Sequence, residues 1–264
     1  MKQTVAMLTR HDKARLIAPA LAQFGWQLTE IDSFDTDTLG TFAGEQTRFM
    51  TAQECAFRKA ALAADLSGLN IGIGSEGSFS VGPFGIGTYN LELICCVNVT
   101  AGWAVTGRFY GPSLARQWQI ADAQALQQAL ADVEPDQHLV LQQGSYLKKA
   151  LTAAQAHNLA LLRLAQGDVT LSYDLRAHLS PERRFHIQQA ADDLARRLQH
   201  CCPHCATPGF WPDKAIPGLP CEACGVPTSL TRYRQAVCQR CDFMATEPVA
   251  ATHASQQYCQ ECNP

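Results

Sequence analysis

Cys202-Pro203-His204-Cys205 is the first of four stretches in this sequence that share one spacing, two cysteines separated by two residues. The other three are Cys221-Glu222-Ala223-Cys224, Cys238-Gln239-Arg240-Cys241 and Cys259-Gln260-Glu261-Cys262. Each stretch places two thiolates on one tight turn, which is half of a tetrahedral all-cysteine zinc site. Four halves predict two zinc ions. Because each ion would have four protein ligands, we expect it to stabilise the fold and to take no part in catalysis.

Disulfides or unused thiols are the alternative interpretations of these cysteines. The short apolar run that ends at Leu8 is followed at once by Arg10, His11, Asp12 and Lys13, which is not the pattern of a secretory signal. We therefore expect a reducing, cytoplasmic location, which favours zinc over disulfides. Pairing the first stretch with the second and the third with the fourth closes the shortest loops. Loop-closure entropy favours that pairing by about 1 kcal/mol or less.

The length and composition predict one medium-sized and one small globular domain. The chain has 264 residues, of which 47% are hydrophobic and 17% charged. We place the boundary near His200, with an α/β domain at 1–200 and a cysteine-rich domain at 201–264, because proline and glycine become frequent there and helical periodicity ends. Structural zinc contributes roughly 10–16 kcal/mol per site in finger peptides, and we expect it to supply most of the stability of this tail.

Charge argues against a nucleic-acid partner. The net charge is −3, and the segment from Cys201 onward contains four basic and five acidic residues. A nucleic-acid-binding domain normally shows a basic patch. Zinc ribbons often contact nucleic acids, so this partner stays a candidate that the charge does not support. No apolar run approaches the length that spans a membrane, and the sequence does not indicate an oligomeric state.

Strand and helix patterns alternate through the first 200 residues and predict a mixed, twisted sheet with flanking helices. The elements predicted early in the chain are a strand at Val5–Leu8, a helix with a capping box at Thr51–Glu54, a strand at Leu69–Ile73 that ends at Gly74, and an antiparallel pair at Thr88–Thr100 and Trp103–Tyr110. Those predicted later are helices at Asp122–Leu130 and Ala153–Ala165, strands at His138–Gln142 and Val169–Tyr173, and a helix capped by Ser180.

The first candidate site is the loop that joins the first strand to the first helix. Thr9, His11 and Lys13 lie there, and the backbone N–H groups of a helix start point at whatever lies above it. Such a loop can bind phosphate. The alternative is a solvated polar loop.

A second candidate is Gly74-Ser75-Glu76-Gly77-Ser78-Phe79, directly after a predicted strand. The glycines would allow a sharp turn from which Glu76 projects at the carboxyl edge of the sheet, where open α/β sheets bind ligands. A carboxylate there suits Mg²⁺ or the activation of a water molecule, and Ser75 and Ser78 would contact substrate. The alternative is a Gly-Ser turn with an exposed glutamate.

Two further stretches carry weaker signals. Glu45 and Arg48 lie in a loop ahead of the capped helix that bears Lys59, and they offer a second carboxylate and two cations for a polyphosphate. Arg176 and His178 alternate just before the helix capped by Ser180, so both could point into a cleft. The alternative is a solvated helix cap, since both residue types are mostly found at surfaces. Glu92 is a further carboxylate candidate.

Two resemblances follow from these stretches. The segments Gly40–Arg48, Gly74–Phe79 and Arg176–Arg184, with the paired cysteines, resemble an uncharacterised bacterial family known only as a domain of unknown function. Residues 1–200 distantly resemble the pyrophosphatases that act on inosine and xanthosine triphosphate, which have no counterpart of the cysteine-rich tail.

The second resemblance rests on order and spacing. Those enzymes carry a Thr-x-Asn-x-x-Lys phosphate loop, which Thr9 and Lys13 match with His11 in place of the asparagine and one residue fewer. Glu45 and Lys59 match their glutamate and the helix that follows, and Gly72–Gly77 matches their acidic, glycine-rich turn. Arg176 and His178 resemble a Ser-His-Arg stretch that helps to hold the base. The resemblance implies a pyrophosphatase-like fold and nucleotide hydrolysis.

Together these patterns predict a Mg²⁺-dependent hydrolase of a nucleotide or related phosphate compound. Glu45 and Glu76 would hold the metal and orient the water, and the remaining named residues would bind the substrate. The alternative is a non-catalytic module that binds a small anionic ligand, with a zinc tail that docks a protein or nucleic acid.

Overall fold

The computed structural model describes residues 3–9, 13–31 and 50–264, and within these ranges the chain forms a mixed α/β structure with three separate sheets. The helices are α1 (Ala14–Leu21), α2 (Ala52–Ser67), α3 (Ala123–Ala131), α4 (Ala153–Leu164) and α5 (Pro181–Gln199). The strands are β1 (Gln3–Leu8), β2 (Trp26–Ile31), β3 (Ile71–Val81), β4 (Thr88–Asn98), β5 (Trp103–Ser113), β6 (Gln117–Ile120), β7 (Leu139–Gln143), β8 (Tyr146–Leu151), β9 (Val169–Tyr173), β10 (Lys214–Pro217), β11 (Thr231–Val237) and β12 (Met244–Pro248).

The largest sheet has the order β2-β1-β3-β4-β5. β1 runs parallel to β2 and β3, and β3, β4 and β5 are antiparallel neighbours, so the sheet is mixed as predicted. Helices α1 and α5 cover one face, where Met7, Ile73, Ile94 and Ile187 are buried in one core. Helix α2 covers the other face. Its N-terminus has the capping box predicted at Thr51 and Glu54.

Strand β3 contradicts the prediction of a strand that ends at Gly74 with a glycine-rich turn. It continues without interruption from Ile71 to Val81 and pairs with β4 along its whole length. The glycines serve packing: a Cβ on Gly72 would overlap the carbonyl oxygen of Ala60, and a Cβ on Gly74 would overlap that of Ala56. Two glycines on one face of the strand therefore allow the backbone of α2 to lie directly on the sheet.

A second sheet, which the sequence analysis did not separate from the first, has the order β6-β9-β7-β8. It is antiparallel throughout and packs with α3 and α4 around its own core, which includes Leu126, Leu139, Leu141 and Leu171. The sequence analysis found α3, β7, α4 and β9 and missed β6 and β8. Both missed strands are short and mostly exposed, so they lack a strong apolar alternation.

The third sheet, β10-β11-β12, belongs to the cysteine-rich tail. The tail contacts the largest sheet through Asp213, which accepts hydrogen bonds from Arg197 on α5 at 2.5 Å and from Arg108 on β5 at 2.9 Å. The side chain of Gln239 accepts a hydrogen bond from the backbone N–H of Ala104 at 3.0 Å. The tail thus covers part of the edge strand β5, while the division into two domains at residue 200 stays a prediction. None of the described helices has the length and hydropathy needed to cross a membrane.

Replacing Asp213 by alanine should weaken the contact between tail and sheet. Arg197 is 8% exposed and Asp213 46%, so the loss is partly screened by solvent, and we expect the free energy of unfolding to fall by about 1 kcal/mol. Urea unfolding at fixed zinc concentration measures this change. Asp192→Ala, an exposed carboxylate on α5, is the matched control. Equal midpoints for the two variants would show that Asp213 does not anchor the tail.

Candidate functional site

The eight paired cysteines form two clusters that could each hold one zinc ion. One cluster is Cys202, Cys205, Cys238 and Cys241, and the other is Cys221, Cys224, Cys259 and Cys262. The closest sulfur pairs lie 3.5 and 3.7 Å apart in the first cluster and 3.6 and 3.9 Å apart in the second. Four sulfurs at about 2.3 Å from one zinc ion lie about 3.8 Å from each other, so both donor sets fit the metal.

The pairing is interleaved, so the expected pairing of neighbouring stretches is wrong. The first stretch meets the third, and the second meets the fourth. The reason is the third sheet: because β10 and β11 are antiparallel, the start of β10 lies beside the end of β11. Stretches before β10 and after β11 therefore share one end of the sheet, and the other two share the opposite end. Strand pairing outweighs the small entropic preference for short loops.

The first three cysteine stretches share one backbone geometry. In the first, the N–H of Cys202 donates to the carbonyl of Thr207 at 2.8 Å, and the N–H of Ala206 donates to the carbonyl of Cys202 at 2.9 Å. The residue after the second cysteine has positive φ in each case, with 57° at Ala206, 74° at Gly225 and 56° at Asp242. This left-handed residue reverses the chain so that both sulfurs point to one side.

The thiols of these clusters differ in acidity. The hydroxyl and backbone N–H of Thr207 lower the pKa of Cys205 to about 6. A hydrogen bond between the thiol of Cys262 and the sulfur of Cys224 stabilises the protonated form and raises the pKa of Cys262 to about 12. Zinc, which binds thiolates, would have to displace the proton from Cys262 on binding.

A cluster of buried polar side chains lies where β1 ends and β3 continues. The register joins β1 to β3 only at Ala6–Gly72 and Met7–Ile73, so the second half of β3 extends beyond β1. Lys13, which precedes α1, reaches this region and donates from Nζ to Ser75 Oγ at 3.2 Å. Lys13 is 8% exposed, and burial lowers its pKa to about 8. Thr9, at the end of β1, is also buried.

Glu76 lies on the opposite face of β3 from Ser75, because successive side chains of a strand alternate. Its Oε2 accepts a hydrogen bond from Lys59 Nζ of α2 at 2.6 Å and one from the thiol of Cys55 at 3.4 Å. Glu76 is 6% exposed. The prediction that Glu76 projects from a glycine-rich turn is therefore wrong, and so is the alternative of an exposed glutamate: Glu76 is a strand residue in a buried ion pair.

A second buried ion pair lies on the face that carries Ser75. Arg183 of α5 donates from Nε to Glu92 Oε1 at 2.7 Å, and Asn90 donates to the same oxygen at 3.2 Å. Asn90 also contacts Nδ1 of His186, whose ring stacks on Phe109. The other carboxylate oxygen, Glu92 Oε2, is buried and has no hydrogen-bond partner in the structure as described.

Gly77 makes room for this pair. A Cβ at that position would overlap the guanidinium of Arg183 and the carboxylate of Glu92. Sequence patterns indicate Glu92 only as a further candidate and give no signal for Arg183, Asn90 or His186. Arg183 and Glu92 are 91 positions apart in the chain, and no local pattern connects them.

The predicted site residues are brought together only in part. Lys13 contacts Ser75 on one face of β3, and Lys59 contacts Glu76 on the other face. The two contacts are close enough that the charges of Glu76 and Lys59 shift the pKa of Lys13 in opposite directions. Ser78 lies two positions farther along the same face of β3 as Glu76.

Arg176 makes a two-pronged ion pair with Asp174, at 2.9 Å from Nε and 2.6 Å from Nη2, which orders the loop ahead of α5. The backbone carbonyl of His178 accepts a hydrogen bond from Arg184 at 3.2 Å. The predicted roles of His11, Glu45 and Arg48 lie outside the described residues.

The two-cluster arrangement predicts which cysteine substitutions remove one zinc ion and which remove two. Cys205→Ser combined with Cys238→Ser affects one interleaved cluster, so we expect about one zinc ion per chain. Cys205→Ser combined with Cys224→Ser affects both clusters and should leave less than half an ion. Zinc analysis by mass spectrometry of the purified variants checks this. The reverse order of the two values would restore the pairing of neighbouring stretches.

Lys13 should make stability depend on pH in a defined window. Its folded-state pKa of about 8 lies below the ordinary value of 10.5, so the folded protein binds fewer protons than the unfolded chain between these two pH values. The cost of burying the charge is fully present below pH 8 and disappears as pH rises to 10.5. Lys13→Met should therefore stabilise the protein at pH 7, by up to about 3 kcal/mol.

The measurement is the difference in unfolding free energy between Lys13→Met and the wild type at pH 7 to 10.5. The difference should shrink as pH rises. Lys148→Met, an exposed lysine on β8, is the control and should show no such trend. A difference that stays constant over this range would contradict a depressed pKa at Lys13.

Comparison with known proteins gives one match. Neither a curated protein nor a solved structure matches the chain. A family model described as a domain of unknown function (DUF6671) matches residues 59–264, which include β3, β4, α5 and all eight paired cysteines. Since the match covers most of the sequence, the chain belongs to this DUF6671 family.

Proposed function

We propose that the cleft beside β3 binds a small phosphate-bearing compound of the nucleotide class and hydrolyses it with the help of Mg²⁺. The observation that carries the proposal is the excess of buried positive charge. Around this part of β3 the described residues include three cations and two carboxylates, which are Lys13, Lys59 and Arg183 and Glu76 and Glu92. The group therefore has one cation more than it has carboxylates. Lys13 donates a hydrogen bond to the neutral Ser75, and the charges of Glu92 and Glu76 offset only part of the cost of its burial, because its pKa stays lowered.

An anion in the cleft would remove this imbalance. Burying an ammonium group without an opposite charge is costly, and a phosphate oxygen beside Lys13 would compensate that cost. The first turn of α1 supports the same assignment, because no side chain among the described residues caps it and Lys13 occupies its N-terminal position. Backbone N–H groups at a helix start bind phosphate oxygens well.

Glu76 and Lys59 would divide the catalytic work. Mg²⁺ held by carboxylates neutralises phosphate charge and activates a water molecule. Glu76 is the carboxylate that the structure offers on the α2 face, and Glu45 stays the predicted second one. Lys59, released from part of its contact with Glu76, would donate to the phosphate. Phosphoryl transfer needs mostly positioning and charge neutralisation, which these residues can provide.

The cysteine-rich tail would have a structural part in this scheme. Its two clusters have four thiol ligands each and thus offer no open coordination position. Through Asp213 and Arg197 the tail contacts α5, the helix that also supplies Arg183. It would therefore support the wall of the cleft without contacting the substrate.

One observation favours the alternative of a non-catalytic binding module. Glu76 is already paired with Lys59, and Glu92 with Arg183, so each carboxylate has a cation within 2.7 Å before any metal binds. A cleft of this kind could hold an anion and never turn it over. The zinc tail would then dock a protein or a nucleic acid. The charge of the tail does not support a nucleic acid as the partner.

An activity screen distinguishes the hydrolase from the non-catalytic binding module. The chain, loaded with zinc, is incubated with Mg²⁺ and a panel of nucleoside triphosphates, and released phosphate and pyrophosphate are measured. Glu76→Gln should lower the rate at least about a hundredfold, because a lost metal carboxylate costs several kcal/mol in the transition state. Lys13→Ala should raise KM more than it lowers kcat, since the native Lys13 would bind the phosphate already in the ground state.

Controls must separate chemistry from folding. Glu76→Gln leaves Lys59 buried without its anion, so Glu76→Gln with Lys59→Met is made as well to restore a neutral pair. Glu134→Gln, an exposed carboxylate, should keep full activity. Ligand-dependent melting shifts without turnover would favour the binding module. Activity that survives Glu76→Gln would remove this residue from the mechanism.

A further inference from the structure

The face of the largest sheet that α2 covers carries two tyrosines farther along the strands than Glu76. In the strand register, Ser78 lies opposite Leu91, which in turn lies opposite Tyr110. Tyr89 lies opposite Ser80. Residues opposite each other in an antiparallel pair point to the same face, so both tyrosines share the face of Glu76.

The two rings form one exposed aromatic surface. Their centroids are 5.1 Å apart and their planes are tilted by 38°. Tyr110 is 55% exposed, and Tyr89 is half-buried. The ring of Tyr89 packs against the backbone of Gly82, where a Cβ would lie only 2.5 Å from the ring carbon Cδ2. The absence of a side chain at Gly82 therefore allows the ring to lie flat against the turn.

The distance from the ion pair to the rings suits one extended ligand. Strand residues advance about 3.3 Å each, so Ser78 and Ser80 lie about 7 and 13 Å along β3 from Glu76. Tyr89 is the cross-strand neighbour of Ser80, and Tyr110 lies one strand beyond Leu91, the neighbour of Ser78. In a nucleotide the sugar separates the phosphates from the base. A nucleotide with its phosphates at Glu76 and Lys59 would therefore bring its base to the two tyrosine rings.

We propose that Tyr89 and Tyr110 form a stacking subsite for the planar aromatic group of the phosphate-bearing ligand, which makes the ligand class nucleotides with an intact base. This inference rests on the proposed function, because the phosphate end of the ligand occupies the cleft at Glu76 and Lys59. Stacking on tyrosine needs only a π-face, and every base has one.

The neighbouring polar groups predict broad tolerance for the base. The hydroxyls of Ser78 and Ser80 each donate and accept hydrogen bonds, so they do not select one pattern on a base edge. Base size then determines preference, and purine nucleotides should bind more tightly than pyrimidine nucleotides because they cover more of the two rings.

The test compares a ligand that has a base with one that lacks it. The probes are the α,β-methylene analogue of guanosine diphosphate and methylenediphosphonate, whose P–C–P linkages resist hydrolysis. Both are titrated with Mg²⁺ into the zinc-loaded chain by calorimetry. The wild type should bind the nucleotide analogue at least about tenfold more tightly than the bisphosphonate. Tyr110→Ala should remove most of this difference, while Tyr110→Phe should keep it because the ring is retained.

Matched controls keep the outcomes distinct. Tyr258→Ala removes a tyrosine of similar exposure, 49%, from the cysteine-rich tail and should change neither affinity. If the bisphosphonate binds and the base adds nothing, the stacking subsite is wrong while the phosphate site stands. If Tyr110→Ala weakens both probes equally, the subsite is also wrong. If neither probe binds, the phosphate site and the subsite fail together.

Discussion

The candidate cleft depends on the close contact between the backbone of α2 and strand β3. Gly72 and Gly74 allow this contact, because any side chain there would collide with the carbonyl oxygens of Ala60 or Ala56. The helix is thereby brought near enough for Lys59 to meet Glu76 at 2.6 Å. An alanine at either glycine would push the helix outward and separate the two charges. The close packing of the α2 backbone on β3 thus sets the geometry of the ion pair between Lys59 and Glu76.

On the opposite face, Gly77 has a comparable effect. It leaves space for the pair of Glu92 and Arg183, which lies between β3, β4 and α5. Buried ion pairs gain little net stability, because desolvation offsets most of the attraction, so stability alone gives weak reason to keep two of them beside a buried lysine. Perturbed and buried charges tend to cluster at functional sites, which is the physical basis for assigning function to this cleft.

The cysteine-rich tail shows how sheet topology determines metal-site composition. Each Cys-x-x-Cys stretch is a local unit whose turn can be inferred from spacing alone. Which two units share an ion depends on where the ends of β10, β11 and β12 lie, and the antiparallel order brings together stretches that are not neighbours in sequence. The same tail is joined to the largest sheet through Asp213, so metal binding and the wall of the cleft are physically connected.

The sequence by itself determined the local features: the helix caps at Thr51 and Ser180, the hairpin of β4 and β5, and the eight paired cysteines. These depend on spacing and nearest neighbours, which a single sequence displays. Only the tertiary structure decided that β3 continues through Glu76, that Arg183 meets Glu92 and that the cysteine stretches interleave. Each of these depends on contacts between residues far apart in the chain, where packing and strand pairing outweigh local preference.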